Sequence, residues 1–187
     1  MDDNADILRR LRRIEDRFDL SDLVARYGQL LDDRDLDAVA ELYSEDSSFD
    51  SLTGPVSGRR AVVGYYAERL GAGGVTYHYP HSQVITFSDD DDDSATGVVH
   101  AHAEMEIDGI TLVIALRYLD EYSREGGRWR FRSRTAQQLY ALPLDELATQ
   151  LGSDTRKRWP GMEPMAADIP ESLPSWQAFE QSRRQQD

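Results

Sequence analysis

Four histidines are spread over this 187-residue chain, and one of them stands where it could act as a base. His78 and His81 lie in Val75-Thr76-Tyr77-His78-Tyr79-Pro80-His81-Ser82-Gln83-Val84-Ile85-Thr86-Phe87, at the mouth of an apparent strand. Upstream, an apolar-patterned helix ends in Tyr27-Gly28-Gln29-Leu30-Leu31-Asp32. The apolar face of that helix must pack on the sheet, and a carboxylate carried there needs a partner, because an unpaired buried charge is costly. Pairing Asp32 with His78 supplies one. It also holds the imidazole in a single tautomer and raises its basicity, as a general base requires. Tyr27 adds a hydroxyl that could donate to a leaving group or a carbonyl. It stands five residues before Asp32, about 140° around a helix, so the two share a cavity only if the helix ends or bends near Leu31. The bland readings are a structural histidine and a core tyrosine. The expectation is that Tyr27, Asp32 and His78 meet and do acid–base chemistry on a small apolar molecule.

Other side chains could join them. His81 follows His78 by three residues, which in a regular strand turns it to the opposite face. Pro80 between them marks a bulge or an edge that could rotate it. His100 and His102 share a strand face with Glu104 and Glu106, opposite Val99, Ala101, Ala103, Met105 and Ile107. His-x-His-x-Glu is a metal half-site in one reading and a polar outer face or subunit contact in another. A third brings His102 into the cavity as an auxiliary acid–base group. No metal and no cofactor are expected. Arg134, or Gln138 beyond it, reaches the cavity to polarise a substrate in the functional reading and belongs to a solvated basic face in the plain one. Tyr43, on the apolar face of a short helix, completes the expected substrate contacts with His81, His102, Arg134 and Gln138. The five aspartates from Asp89 to Asp93 read as a solvated turn, since neighbouring side chains cannot all converge on one calcium ion.

The elements that must position these groups follow from periodicity. Ile7, Leu8, Leu11, Ile14 and Phe18, continued by Leu20, Leu23, Val24, Tyr27, Leu30 and Leu31, predict one long helix or two joined near Ser21. Asp35 can cap a second helix from Leu36 to Tyr43. A short strand from Ser47 to Ser51, a loop at Gly54 to Gly58 and a third helix from Arg59 to Leu70 come next. The character then changes to strands: Val75 to Phe87, Ala95 to Ile107, Ile110 to Ser123 and Arg128 to Leu139. Asp108-Gly109 predicts a type I′ hairpin, and Gly126-Gly127 a second turn. Helices followed by an antiparallel meander make an α+β fold, with helices on one face of a curved sheet.

Composition bounds the partners. Thirty-five acids against 21 bases give a formal charge of -14, which argues against a nucleic-acid backbone and an anionic membrane surface. The absence of cysteine removes disulfides, thiolate catalysis and cysteine-ligated metals. The start Met1-Asp2-Asp3-Asn4 lacks a basic region followed by an apolar core, and no run approaches roughly 18 apolar residues. A cytoplasmic protein is expected. The organisation expected is one domain over residues 1–145 and an extension over 146–187. Trp159 and Trp176 in that extension imply that part of it packs on the domain or on a neighbouring subunit.

Taken in order, Asp22-Leu23-Val24-Ala25-Arg26-Tyr27 through Leu31-Asp32-Asp33-Arg34-Asp35-Leu36-Asp37, then Leu42-Tyr43-Ser44-Glu45-Asp46, Gly58-Arg59-Arg60-Ala61-Val62, Tyr77-His78-Tyr79-Pro80-His81-Ser82, and Asp120-Glu121-Tyr122 to Gly127-Arg128-Trp129-Arg130-Phe131 make the chain resemble the nuclear transport factor 2-like (SnoaL-like) superfamily. The resemblance spans about residues 7–140. Its nearest enzymes are bile-acid 7α-dehydratase, scytalone dehydratase and hexachlorocyclohexane dehydrochlorinase, cofactor-free eliminating lyases built on an Asp–His pair. Asp32 and His78 match that pair. Tyr27 and His81 match a tyrosine and a second histidine of the bile-acid enzyme. Arg134 is similar in placement to an arginine of the dehydrochlorinase, and Gln138 to one of the bile-acid enzyme. The resemblance implies a cone-shaped α+β barrel, an apolar pocket for a cyclic, polyketide- or steroid-like substrate, and a homotrimer or homodimer. It points to a dehydratase-type lyase, with an isomerase or cyclase, or a non-catalytic binding or assembly domain, as alternatives on the same fold.

Overall fold

A computed structural model describes residues 3–185; Met1-Asp2 and the last two residues of the extension lie outside the described residues. The first helix, α1 (Asp3–Asp32), runs unbroken through Ser21. What ends it is a turn at Arg34, whose φ of 62° is left-handed. The Asp35 N–H donates to the Leu30 carbonyl at 2.9 Å and the Arg34 N–H to that of Leu31 at 3.2 Å, the paired bonds that close a helix C-terminus. Asp35 then caps α2 (Leu36–Glu41) by accepting from the Ala38 N–H at 3.0 Å.

The sheet holds six strands in the order β2-β1-β6-β5-β4-β3. They are β1 (Tyr43–Asp50), β2 (Val56–Ser57), β3 (Thr76–Phe87), β4 (Ser94–Ile107), β5 (Ile110–Glu125) and β6 (Arg128–Pro143), with α3 (Arg59–Gly71) between β2 and β3. β3 to β6 form the expected antiparallel meander. Asp108 (φ 53°) and Gly109 (φ 77°) are both left-handed, as a type I′ turn demands. Two expectations are corrected. Tyr43 is not the end of the second helix but the first residue of β1, because the Phe131 N–H captures the Leu42 carbonyl at 2.8 Å and draws the chain onto β6. And β1 runs parallel to β6, so the sheet is mixed. The segment read as a loop also contributes the short strand β2.

The apolar pattern of α1 is not one stripe. Leu20, Leu23, Val24, Tyr27 and Leu31 are buried on the sheet, whereas Ile7, Leu8, Leu11, Ile14 and Phe18 are at least half exposed. Two residues separate Phe18 from Leu20, about 200° of helix, so the first set lies opposite the second. The N-terminal half is held instead by polar contacts. Asp16 pairs with Arg124 and accepts from the Trp129 indole N–H at 3.1 Å. The aspartate run between β3 and β4 receives Arg13 on Asp92 at 2.7 Å and Arg12 on Asp93 at 3.2 Å. Beyond β6 come a single 3-10 turn (Leu144–Glu146), α4 (Leu147–Gln150) and α5 (Pro174–Arg184). Their connecting segment lies along β6: the Gln138 N–H donates to Asp168 at 2.8 Å, and the Asp168 N–H returns to the Gln138 carbonyl at 3.0 Å. Trp159 packs against the core, and Arg69 lies 4.5 Å over its ring.

Candidate active site

The C-terminal half of α1 lies on the concave face of the sheet beside the edge strand β3. Their close approach depends on Gly28: a Cβ added there would come within 3.1 Å of the His78 Cβ. Asp32, the last helical residue, is thereby brought against β3. His78 Nδ1 lies 2.7 Å from Asp32 Oδ1, the His78 backbone N–H donates to Oδ2 at 2.8 Å, and the Thr76 hydroxyl donates to Oδ1 at 2.9 Å. Arg34 donates to Thr76 Oγ1 at 2.8 Å and to the Leu31 carbonyl at 2.9 Å, so the turn that ends the helix also braces the carboxylate. Partial burial raises the Asp32 carboxyl, but the bonds from His78 and Thr76 outweigh it, and the net result lies below its ordinary value. An ionised Asp32 keeps the proton on Nδ1 and leaves Nε2 with a free lone pair.

His78 lines a small pocket with Tyr27, Gly28, Tyr118 and Arg134, walled by Val24, Pro80, Val99 and Ala101. Asp32 stands behind the imidazole rather than in the pocket; the Tyr27 and His78 rings meet edge-on with centroids 6.1 Å apart. Helix termination at Asp32 therefore resolves the 140° separation: the two side chains reach His78 from different sides. Tyr27 is buried, and burial first, then Tyr43, pushes its hydroxyl up to about 12. It is a proton donor at neutral pH, lying 3.3 Å from the Tyr66 hydroxyl.

Arg134 forms the floor. It is fully buried against Asp120 in a two-pronged pair, Nε to Oδ1 and Nη2 to Oδ2 both at 2.7 Å. The guanidinium lies 4.2 Å over the Tyr27 and Tyr118 rings and 4.1 Å over Phe131. Burial alone would lower its affinity for a proton; Asp120 overrides that and raises it well above the ordinary value. Its Nη1 is buried and has no hydrogen-bond partner among the described residues. These rings and the ion pair fill the cone. The remaining cavity is about 10 Å³, room for about one water molecule, far smaller than the expected steroid-sized cavity.

The structure thus brings together Asp32, His78, Tyr27 and Arg134. It sets the other expected contacts elsewhere. His81 and His102 lie on the convex face, Nε2 to Nδ1 at 2.8 Å: His81 takes the face opposite His78 that strand alternation gives it, and the register shift between Pro80 and Ser82 does not turn it inward. His100 is also outside, 3.1 Å from the Ser82 hydroxyl. Among the described residues no three histidine, aspartate or glutamate side chains are arranged to hold a metal. Tyr43 is buried beneath the pocket, its hydroxyl 2.8 Å from that of Tyr66. Gln138 is covered by the extension and does not line the pocket. Sequence reasoning gave Gly28, Thr76 and Asp120 no part in the site. The last had a signal: it falls in the inward phase of an otherwise apolar strand, where a lone acid needs a cation.

A SnoaL-like domain model matches residues 12–135, more than half of the chain. The fold is similar to that of a crystal structure of a hexachlorocyclohexane dehydrochlorinase (LinA) of type 2, with a TM-score of 0.67 at 20% identity over 81% of this chain and 99% of that one. It is similar to a provisionally named scytalone dehydratase from Novosphingobium aromaticivorans, with a TM-score of 0.65 at 16% identity, covering 71% and 89% of the two chains. A nuclear transport factor 2-like protein with a cystatin-like fold from the same organism matches at 29% identity, with a TM-score of 0.61 over 74% and 92%.

Proposed function

The chain belongs to the SnoaL-like family, and from that premise we propose that it is a cofactor-independent, dehydratase-type lyase. His78 Nε2 takes a proton α or vinylogous to a carbonyl. The C–H electrons form the new double bond, and the leaving group departs with its bonding pair. Asp32 orients the imidazole and stabilises the imidazolium. Tyr27 supplies a hydrogen bond to the departing hydroxyl or to the enolate, and the unpartnered Nη1 of Arg134 supplies positive charge where negative charge develops. Isomerisation and cyclisation share the first step. The observation that carries the reading is the 2.7 Å Asp32–His78 bond beside a buried guanidinium nitrogen with no partner. A cyclic substrate enters only if β3, which has a neighbouring strand on one side alone, moves away from α1.

The filled cavity favours a second reading, a binding or assembly domain on the same fold. One experiment separates them. Hydroxylated and halogenated cyclic carbonyl compounds are incubated with the protein in D2O, and mass spectrometry reads both exchange of the acidic C–H and loss of water or halide. Exchange that disappears in His78→Ala and Asp32→Asn supports the lyase. No exchange with any compound supports the second reading, a ligand-induced change in tyrosine fluorescence without exchange marking a binding domain and the absence of both an assembly domain.

A further inference from the structure

The exposed stripe on α1 has the spacing of a coiled-coil seam. Ile7, Leu11, Ile14 and Phe18 are separated by four, three and four residues, with Leu8 widening the strip. Ile7 is 50% exposed, Leu11 51%, Ile14 52%, Phe18 70% and Leu8 66%. The helix is fastened to the domain on its opposite side, through Asp16 and Leu20. An apolar stripe on the order of 500 Å² per chain is at the upper end of what a monomer leaves in water. Doubled, it is about the 1,000 Å² at which specific interfaces begin.

We propose that this stripe is the seam of a parallel, in-register coil with the same helix of a second copy of the chain. The inference is independent of the lyase reading. Charge selects the occupant and its direction. With Leu11 and Phe18 at the a positions and Ile7 and Ile14 at d, Arg10 and Arg17 fall at g and Glu15 and Asp22 at e. In a parallel pair each g residue faces the e residue five positions on in the other helix. Arg10 then meets Glu15 of the second copy; Arg17, which in its own chain reaches the Ile85 carbonyl at 3.4 Å and lies 5.1 Å from the Phe87 ring, flanks Asp22 without being needed for the pairing. An antiparallel pair sets g against g and e against e, arginine facing arginine and acid facing acid. Arg10, Glu15 and Asp22 make no hydrogen bond or ion pair within their own chain among the described residues. Leu at a with Ile at d also accommodates more than two strands, so the copy number is read from the mass.

The test uses the full chain in analytical ultracentrifugation. An oligomer is expected at tens of micromolar. Leu11→Glu, at an exposed position where the fold does not depend on the side chain, weakens it by about 30-fold or more with an unchanged circular dichroism spectrum. Arg10→Glu weakens it, and Arg10→Glu with Glu15→Arg restores it. The chain has no cysteine, so Ile14→Cys reports on register: mild oxidation links two copies at that position only if the helices are parallel and in register. A monomer at this concentration, an oligomer indifferent to Leu11→Glu, or Ile14→Cys chains that stay unlinked within an intact oligomer overturns the proposal. Indifference to Leu11→Glu would place the contact on another surface, such as the convex face around His81 and His102.

Discussion

His78 and His81 stand three residues apart on one strand and end in opposite surroundings. His78 faces the concave side, four-fifths buried, with a carboxylate on Nδ1. His81 faces the convex side, exposed, with another imidazole as its neighbour. The ring is the same; the face and the partner differ. Asp32 holds one imidazole by Nδ1 with its ring against the pocket, while the other imidazole meets only a second ring at the surface. A base needs the first arrangement.

Variants can break this contrast, beginning with the floor of the concave side. Arg134→Met or Asp120→Asn alone leaves an unpaired buried group and is expected to cost about 3–5 kcal/mol of stability in urea titrations. Replacing both with apolar residues should recover most of that loss. On the convex face, where Arg117 on β5 reaches His100 Nε2 at 3.3 Å, Arg117→Ala should change stability by less than about 0.5 kcal/mol. Equal losses on the two faces would mean that the Arg134–Asp120 pair is not the buried anchor described here.

The next contrast is in activity. In whichever exchange or elimination assay registers turnover, His78→Ala is expected to lose about 10²–10⁴-fold, and His81→Ala to stay close to wild type. Comparable losses would move the base off His78. Gly28→Ala sharpens the point more gently. Alanine favours the helix by up to about 1 kcal/mol, yet the added Cβ lies 3.1 Å from that of His78. Turnover should therefore fall while the thermal midpoint changes little.

Acid gives smaller effects on the two faces, of the same sign but in different pH windows. The Asp32 carboxyl titrates below its ordinary value when folded, so its contribution is fully present above the unfolded pKa of about 3.9 and is lost as pH falls through the folded value. The stability difference between wild type and Asp32→Asn should shrink between pH 5 and pH 3, as read by urea midpoints. Burial, then His81, lowers the His102 imidazole. The folded state thus favours neutral His102, and stability is lost as pH falls below the ordinary imidazole value of about 6.5. His102→Asn should flatten a shallow loss in thermal midpoint over that range. A slope unchanged by the substitution would remove His102 as its source.

Much of this was legible locally. The Asp108-Gly109 turn takes the two left-handed conformations its sequence implies, and β4 alternates buried and exposed residues as its pattern implies. Asp32 and His78 were legible as a pair because a carboxylate at the end of an apolar helix requires a partner. The direction of the first apolar stripe of α1 was not. Its period suits a helix on either side, and only the half-turn slip between Phe18 and Leu20 separates the two faces.

The sequence by itself determined the helices, the meander, the hairpin turns and the residue types available for proton transfer, because each depends on neighbours a few positions away. The tertiary structure alone decided that β1 lies parallel to β6, where the Ser44 hydroxyl reaches the Phe131 carbonyl across 87 residues. It alone decided that the register shift between Pro80 and Ser82 leaves His81 outside rather than turning it into the pocket. It alone set the size of the pocket. The free space inside the cone is what remains after side chains from α1, β3, β4, β5 and β6 have packed, and no local pattern in the chain contains that difference.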